Sequence, residues 1–182
     1  MILLTTSRRP TQRIRTFCRD LLSSIPDFTR TNRGKMSLDA LAEKALELNT
    51  KRVVVVGRWH GAPGKIGLFN VSLGLTPVSP LMIIHSISLR RELKAGTRRI
   101  KSSVITLEPN ASSELQRLAG CLSKFFGLPV LPFDEASEKH RVSIHLSYDS
   151  SRHVKLTFFV LQQMIEIGPR VTFSRLIWDV SS

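Results

Sequence analysis

Residues 2–25 place a short apolar strand directly before an amphipathic helix, and this βα unit constrains the fold more than any other feature of the sequence. Ile2–Leu4 form the strand, and a small polar turn follows it. Pro10 fits the first position of the helix, where its missing N–H costs nothing. The apolar residues that follow recur at helical spacing and form one face. They are Ile14, Phe17, Cys18, Leu21, Leu22 and Ile25.

Four arginines crowd the start of this predicted helix: Arg8, Arg9, Arg13 and Arg15. Cations are disfavoured there by about 0.3–1 kcal/mol each, because the N-terminus of a helix carries a partial positive charge. A bound anion would relieve the repulsion, since free backbone N–H groups and guanidinium groups both suit phosphate. An ordinary solvated basic helix explains the same pattern, and this stretch alone does not decide between the two interpretations.

Charge is distributed unevenly along the 182 residues, which suit one or two small domains. The 27 Lys+Arg and 14 Asp+Glu give a formal net charge of +13. Residues 1–102 contain 19 basic and 6 acidic residues, a net +13, whereas residues 103–182 contain 8 of each. This asymmetry predicts a polyanionic partner for the first part of the chain, nucleic acid rather than a membrane.

The first part continues with a second helix and several strands. A basic loop over residues 29–35 precedes a helix capped by Ser37, with Leu38, Leu41, Ala42, Ala45, Leu46 and Leu48 on one face. Val53–Val56 predict a buried strand parallel to the first, because a helical crossover lies between them. Residues 57–65 predict a turn, and further strands follow it up to a basic connector over residues 90–101.

The pattern then starts again. Val104–Leu107 predict a strand, and Ser112 or Ser113 caps a helix whose apolar face matches that of the first helix at a shift of 104 positions. Strands predicted near residues 142, 154 and 171 complete this part. The match indicates an internal duplication. The sequence predicts an α/β fold with two halves, residues 1–102 and 103–182.

Motifs for catalysis or metal binding do not emerge. Gly61-Ala62-Pro63-Gly64-Lys65 lacks the spacing of a phosphate loop and predicts a hairpin turn. The five histidines show no metal-ligand spacing, and Asp134, Glu135 and Glu138 lie in an apparent loop. We therefore expect no enzymatic activity, no cofactor, no metal and no small-molecule substrate.

The two cysteines, Cys18 and Cys121, each lie on the apolar face of a predicted helix, so we expect reduced core thiols. A secretory signal is not evident, and the apolar runs are too short to span a membrane. These observations predict a reducing, cytoplasmic compartment and no membrane partner.

Phosphate binding remains, and its candidates are the basic residues of the first part. They are Arg8, Arg9, Arg13, Arg15, Arg33 and Lys35, and the connector residues Arg90, Arg91, Arg98, Arg99 and Lys101. For the connector, a flexible basic linker is the favoured interpretation. With one Tyr and two Trp there is no obvious stacking platform, which favours recognition of RNA shape and backbone over reading of unpaired bases.

Two stretches resemble the Brix domain of ribosome-biogenesis factors. Residues 4–15, Leu-Thr-Thr-Ser-Arg-Arg-Pro-Thr-Gln-Arg-Ile-Arg, with Arg33-Gly34-Lys35 after them, are similar to the start of that domain. Residues 165–173, Ile-Glu-Ile-Gly-Pro-Arg-Val-Thr-Phe, are similar to its closing signature. Many members have Gly-Pro-Thr in mid-domain where this chain has Gly74-Leu75-Thr76. The absence of long charged tails resembles the short archaeal members.

The resemblance implies two pseudo-symmetric α/β halves, each like an anticodon-binding domain of certain aminoacyl-tRNA synthetases, packed as one Brix domain. It implies a non-enzymatic assembly factor that binds ribosomal RNA precursors or guide RNA, together with other assembly proteins. The RNA-side candidates that it carries over are Arg8, Arg9, Arg13 and Arg15. Arg170 of the closing signature either contacts RNA or a partner, or pairs with a carboxylate such as Glu166.

Two other functions fit the sequence. A protein-interaction scaffold would turn its basic half toward acidic partners and hold RNA only indirectly. An RNA-processing enzyme is the third possibility, with catalytic residues that the sequence does not identify.

Overall fold

A single ten-stranded sheet forms the centre of the computed structural model, which describes residues 1–60, 62–93 and 100–180. The strand order is β2-β1-β3-β4-β5-β10-β8-β7-β6, with β9 paired to β8. In chain order the elements are β1 (Ile2–Thr6), α1 (Gln12–Ser24), β2 (Phe28–Arg30), α2 (Leu38–Glu47), β3 (Arg52–Trp59), β4 (Ala62–Val71), β5 (Leu75–Ser88), a 3-10 turn (Arg90–Glu92), β6 (Val104–Leu107), α3 (Ser113–Phe126), α4 (Phe133–Lys139), β7 (Val142–Tyr148), β8 (Val154–Val160), β9 (Ile165–Glu166) and β10 (Arg170–Ile177).

The first part of the sheet is parallel and then antiparallel. β1 pairs in parallel with both β2 and β3, as the helical crossovers require. β3, β4 and β5 then follow as antiparallel neighbours joined by short turns. The predicted parallel pairing of Val53–Val56 with the first strand is therefore confirmed.

The second part has a comparable order. β6 pairs in parallel with β7, and Ile105 forms a parallel bridge to Val130 ahead of α4. β7, β8 and β10 are antiparallel neighbours. β5 and β10 pair antiparallel in the middle, so one continuous sheet carries both parts.

The helices lie on both faces of the sheet. α1 and α3 share the larger core with strand residues such as Leu4 and Ile144. α2 packs on the opposite face against Leu3 and Val53, and α4 packs near Val104 on its own smaller cluster. The alternation of side chains along β1 explains the division, because Leu3 and Leu4 point to opposite faces. None of the helices in the described ranges is long and apolar enough to cross a membrane.

Local predictions about helix ends are partly corrected. α1 is capped by Thr11, whose Oγ1 accepts from the backbone N–H of Ile14 at 3.2 Å, so Pro10 precedes the cap and does not occupy the first helical position. The Ser37 and Ser112 caps are confirmed, with acceptor distances of 3.0 and 3.2 Å. Asp134, Glu135 and Glu138 belong to α4 and not to a loop, since the short α4 carries too little apolar pattern to be recognised.

The predicted turn over residues 57–65 is also wrong for most of its length. β3 extends to Trp59 and β4 begins at Ala62, and Gly57 pairs with Lys65 across the hairpin. Similarly, Thr29 and Arg30, at the start of the predicted basic loop, belong to the edge strand β2 beside β1. Both errors have the same cause. Local composition predicts loops in these segments, but hydrogen bonds to a neighbouring strand satisfy their backbone groups.

Several side chains differ from their predicted burial. Leu38 and Leu46 were expected on the buried face of α2, yet each is 50% exposed. Cys18 is buried as expected, and Cys121 is only partly so. The connector residues Arg98 and Arg99 lie outside the described residues.

Candidate nucleic-acid interface

An open groove of about 880 Å³ lies at the ends of β1 and β3, where three of the predicted phosphate-binding side chains meet: Arg8, Arg9 and Arg33. We call it the basic groove. The turn after β1 forms one wall, the loop before α2 forms a second, and β3, β4 and β5 supply the floor. Its cationic members are Arg8, Arg9, Arg33, Arg58 and Lys65.

Arg33 is the most deeply placed of these cations, with only 6% of its surface exposed. Its Nε donates to the carbonyl oxygen of Met36 at 2.7 Å, and the Nε of Arg8 donates to the same oxygen at 3.4 Å. Burial and the neighbouring charge of Arg8 both lower the pKa of Arg33. Two guanidinium groups therefore converge on one carbonyl, and neither forms an ion pair within the described residues.

Ser7 lines the groove between these arginines and the sheet. Its backbone N–H donates to the carbonyl of Val56 at 3.0 Å, which extends the β1–β3 pairing into the turn. Gly57 permits this approach, since a Cβ there would lie 3.3 Å from the Cβ of Ser7. The Ser7 hydroxyl oxygen is buried and has no hydrogen-bond partner among the residues that the structure describes.

Arg58 and Lys65 complete the basic groove from the β3–β4 hairpin, and the sequence did not single them out. The Nζ of Lys65 lies 4.4 Å from the centre of the Trp59 ring. The sequence could have indicated them, because a tight hairpin between residues 57 and 65 would place Arg58 and Lys65 on paired strands. It was missed because residues 57–65 were assigned to a turn.

The guanidinium group of Arg13 is hydrogen-bonded within the protein. Its two Nη atoms donate to the Glu92 carboxylate at 2.7 and 2.8 Å, and Nη2 also donates to the carbonyl of Ile87 at 2.5 Å. The hydrogen bonds from Arg13 lower the pKa of Glu92 to about 2. The guanidinium therefore joins α1 to the end of β5 and the turn after it.

Two other predicted cations of the first part, Arg15 and Lys35, are exposed. Arg15 and Lys35 form no ion pair within the described ranges, and neither lines the basic groove. In the connector, the backbone N–H of Arg90 donates to the Asp20 carboxylate at 2.9 Å. The arginines at the start of the chain thus divide into a groove set, a structural residue and a solvated residue.

Arg170 forms an ion pair within the closing motif. Its Nε and Nη2 donate to the two oxygens of Glu166 at 2.7 and 2.5 Å. Thr157 also donates to Glu166, and the hydrogen bonds from both partners lower the pKa of that carboxyl against the effect of burial. This contact supports the structural interpretation of Arg170, in which it pairs with Glu166.

The second part of the chain contains a groove of about 760 Å³ at the ends of β6 and β7. We call it the C-terminal groove. It is lined by Glu108 and Asp134, by the rings of Phe133 and Phe159, and by His145 among others. Burial, with a smaller effect from the charge of Lys155, lowers the pKa of His145 to about 4, so this histidine is neutral near pH 7. In the described residues no group of His, Cys, Asp and Glu could hold a metal ion.

Curated relatives are similar to this chain over different lengths. A probable Brix domain-containing ribosomal biogenesis protein of Aeropyrum pernix is 37% identical over 103 residues, 56% of this chain and 57% of that protein. A protein of the same description from Methanopyrus kandleri is 27% identical over 179 residues, 93% of this chain and 91% of that protein. The U3 small nucleolar ribonucleoprotein protein imp4 of Schizosaccharomyces pombe is 27% identical over 172 residues, 93% of this chain and 58% of that protein.

The first six curated relatives are covered over only 42–58% of their length, so the chain spans about half of each of them in these matches. No family model matches the chain.

Solved structures extend the likeness to nearly the whole fold. The crystal structure of a probable ribosomal biogenesis protein from Aeropyrum pernix superimposes with a TM-score of 0.77 at 29% identity, covering 97% of this chain and 98% of that one. An archaeal Imp4-like protein shares the fold with a TM-score of 0.64 at 22% identity, covering 97% and 99%. Sequence motifs, curated relatives and fold agree: the chain is similar to archaeal Brix domain-containing ribosomal biogenesis proteins and shares the fold of their solved structures.

Proposed function

We propose that this protein is a non-enzymatic, RNA-binding ribosome assembly factor that holds precursor ribosomal RNA in the basic groove. One observation carries the proposal: five cations surround the groove, and none of them forms an ion pair within the described residues. Clustered guanidinium groups without carboxylate partners favour phosphate, which accepts paired hydrogen bonds from their planar forks. Arg15 and Lys35 extend the cationic surface beyond the groove.

The descriptions of the relatives support ribosome biogenesis as the process in which such binding would take place. The Aeropyrum and Methanopyrus proteins are described as ribosomal biogenesis proteins, and the Schizosaccharomyces protein as part of a U3 small nucleolar ribonucleoprotein. For this chain we therefore propose precursor rRNA or a guide RNA, and other assembly proteins, as partners in rRNA processing. Such a role implies a cytoplasmic protein.

We also propose that residues 1–102 and 103–182 are pseudo-symmetric halves of one Brix domain, each resembling an anticodon-binding domain. In support, each half contains a strand, a helix, a parallel neighbour, a second helix and an antiparallel set of strands. In this arrangement the basic groove and the C-terminal groove occupy equivalent places, and only the first carries the charge for RNA.

RNA binding by the purified protein tests the main proposal. If about five phosphates are neutralised, the logarithm of the binding constant should fall with the logarithm of salt concentration at a slope near −3.5 to −4.5. The double variant Arg9→Ala/Arg58→Ala removes two exposed groove cations, so it should weaken binding at least about tenfold at low salt and reduce the slope by about 1.4–1.8.

Lys124→Ala/Arg141→Ala is the matched control, since it removes the same charge from exposed positions of the second half. We expect this control to bind RNA as the unchanged protein does. Equal losses in the two double variants would mean that net charge matters and the groove does not, and the proposal would be abandoned.

A protein-interaction scaffold is the second candidate, because the C-terminal groove has apolar side chains at its rim. Val130 and Met164 line it and are 38% and 61% exposed. The same RNA-binding measurement separates the two functions. No binding of an rRNA fragment at moderate salt by the protein alone favours the scaffold.

A further inference from the structure

We infer that the basic groove takes an unpaired nucleotide, with its phosphate held by Arg8 and Arg33 beside Ser7 and its base on the apolar floor. The inference rests on the proposed function and makes it more specific: the RNA bound here is single-stranded. Few aromatic residues in the sequence favoured shape and backbone recognition instead. The groove reverses that preference, since it brings together apolar and cationic side chains from distant segments.

The shape of the site argues against a duplex. A duplex presents its phosphates on a convex surface and would contact the rim, leaving a concavity of about 880 Å³ unfilled. That volume falls in the range of roughly 300–1,000 Å³ in which proteins enclose small organic ligands. Half-buried apolar side chains form the floor: Val55, Phe69, Pro77, Val78 and Leu81. A flat apolar group with an anion attached fits this combination, and a nucleotide is such a group.

The phosphate end is defined by donors that lack acceptors. Only 6% of the Arg33 surface is exposed, and yet its Nη groups have no acceptor in the described residues. Arg8 and Arg33 share one carbonyl oxygen, and the Ser7 hydroxyl beside them is buried without a partner. Buried polar groups are rarely left unsatisfied, and charged ones are the most costly. A phosphate bound at Arg8 and Arg33 would supply acceptors to their guanidinium groups, with Ser7 beside it in the groove lining.

The base end depends on Phe69. Its ring lies against the backbone of Gly67, where a Cβ would lie 2.9 Å from Cε2 of the ring. A larger residue at position 67 would displace the ring, so Gly67 allows Phe69 to lie against β4 in the groove floor. Unpaired bases stack on aromatic rings with little dependence on sequence, because every base has a π-face. The exposed guanidinium of Arg58 lines the same groove and offers a second planar group.

Three RNA probes of the same length test the inference. They are a single strand of ~12 nucleotides, a duplex containing that strand, and the same strand with its bases removed along the centre. We expect the single strand to bind about tenfold more tightly than the duplex and than the abasic strand at equal salt, since stacking is lost in both.

Two variants separate the two ends of the groove. Phe69→Leu keeps an apolar side chain and should abolish the preference for the intact strand over the abasic strand, with the salt slope unchanged. Arg8→Gln should make the salt dependence less steep by about 0.7 and keep the preference for the intact strand over the abasic strand. Phe133→Leu in the C-terminal groove is the matched control and should change neither quantity. Thermal unfolding of each variant checks that the fold is retained.

The outcomes distinguish the inference from the function on which it rests. If all three probes bind equally and with the expected salt slope, the protein binds RNA but the groove does not take a base, and the inference is overturned. If no probe binds at moderate salt, the proposed function itself fails. A preference that survives Phe69→Leu and is lost in Phe133→Leu would place the base in the other groove and would also overturn the inference.

Discussion

The basic groove and the C-terminal groove lie in comparable places and have opposite chemistry. The first is formed by the turn after β1 and the loop before α2, and the second by the turn after β6 and the segment before α4. Arg8 and Arg33 occupy the first, whereas Glu108 and Asp134 occupy the second. The side chains in short connecting segments therefore determine what each of the two concave sites can bind.

The helices beside the grooves show the same contrast. α3 has an acidic residue in its first turn, Glu114, and α1 has none. An acidic first turn stabilises a helix through its dipole, so α3 follows the rule for stability. α1 departs from it while Arg9 lies just before the helix and Arg15 in it. The chain thus lacks a stabilising pattern at the start of α1, where four of its arginines lie within eight positions.

The largest expected difference between the grooves is a dependence of stability on pH. His145 lines the C-terminal groove with its Nδ1 2.9 Å from the Thr106 hydroxyl, and burial lowers its pKa from 6.5 to about 4. The unfolded chain therefore binds more protons between these values. Stability from this group is complete above pH 6.5 and falls by up to about 3 kcal/mol as the pH drops to 4.

Denaturant unfolding at pH 7 and at pH 4.5 measures this loss. The variant His145→Gln should show a smaller decrease between the two pH values than the unchanged protein. Acidic groups with lowered pKa values, such as Glu92, act mainly below pH 4.5 and contribute equally to both proteins. Identical pH profiles for the two proteins would show that His145 is not kept neutral by burial.

The second prediction concerns the place where the two halves meet. Gly168 of the closing motif has φ +62, and a Cβ there would overlap the side chain of Leu93 from the first half. Its carbonyl accepts from the Ser24 hydroxyl of α1 at 3.3 Å. We expect Gly168→Ala to lower the free energy of unfolding by about 1–3 kcal/mol, because the left-handed backbone and the overlap are both unfavourable.

Gly120→Ala is the control for this substitution. Gly120 lies inside α3 with nothing within 4 Å of a Cβ, so alanine should stabilise the helix by about 0.5–1 kcal/mol. Equilibrium unfolding of both variants makes the comparison. A Gly168→Ala protein as stable as the parent would mean that the contacts of Gly168 with Leu93 and Ser24 do not constrain the closing motif.

Local signals predicted much of the fold, and long-range contacts explain what they missed. The strands at residues 53–56 and 104–107 and the caps at Ser37 and Ser112 were visible, because each depends on residues within a few positions. The hairpin register and α4 were not, since pairing with distant strands and packing on a small cluster determine them. Strand β2 was missed for the same reason.

The candidate site follows the same division. The charge asymmetry of the sequence predicted a cationic surface in the first half, and Arg8 and Arg33 line the groove found there. Arg170 has a carboxylate four residues away, so its pairing with Glu166 could be anticipated. Arg13 pairs with Glu92 across 79 positions, and no local pattern indicates that contact. Sequence thus predicts the kind of charge, and topology decides which charges remain unpaired.

The smallest expected effect separates two arginines that the sequence treats alike. Arg13 pairs with Glu92 and donates to the Ile87 carbonyl, whereas Arg15 on the same helix is exposed and forms no ion pair within the described residues. Arg13→Gln should lower the melting temperature by a few degrees, as partly exposed ion pairs contribute modestly. Arg15→Gln should leave the melting temperature unchanged and weaken RNA binding instead.

Acidification provides an independent check on Arg13. Because its hydrogen bonds lower the pKa of Glu92 from 4.5 to about 2, the stability from this pair is present above pH 4.5 and is lost as the pH falls toward 2. The melting temperatures of the parent and of Arg13→Gln should therefore converge at low pH. If Arg13→Gln instead matches the parent in melting temperature at pH 7 and loses RNA affinity as Arg15→Gln does, then Arg13 releases Glu92 in solution and belongs to the RNA-binding surface of the first half.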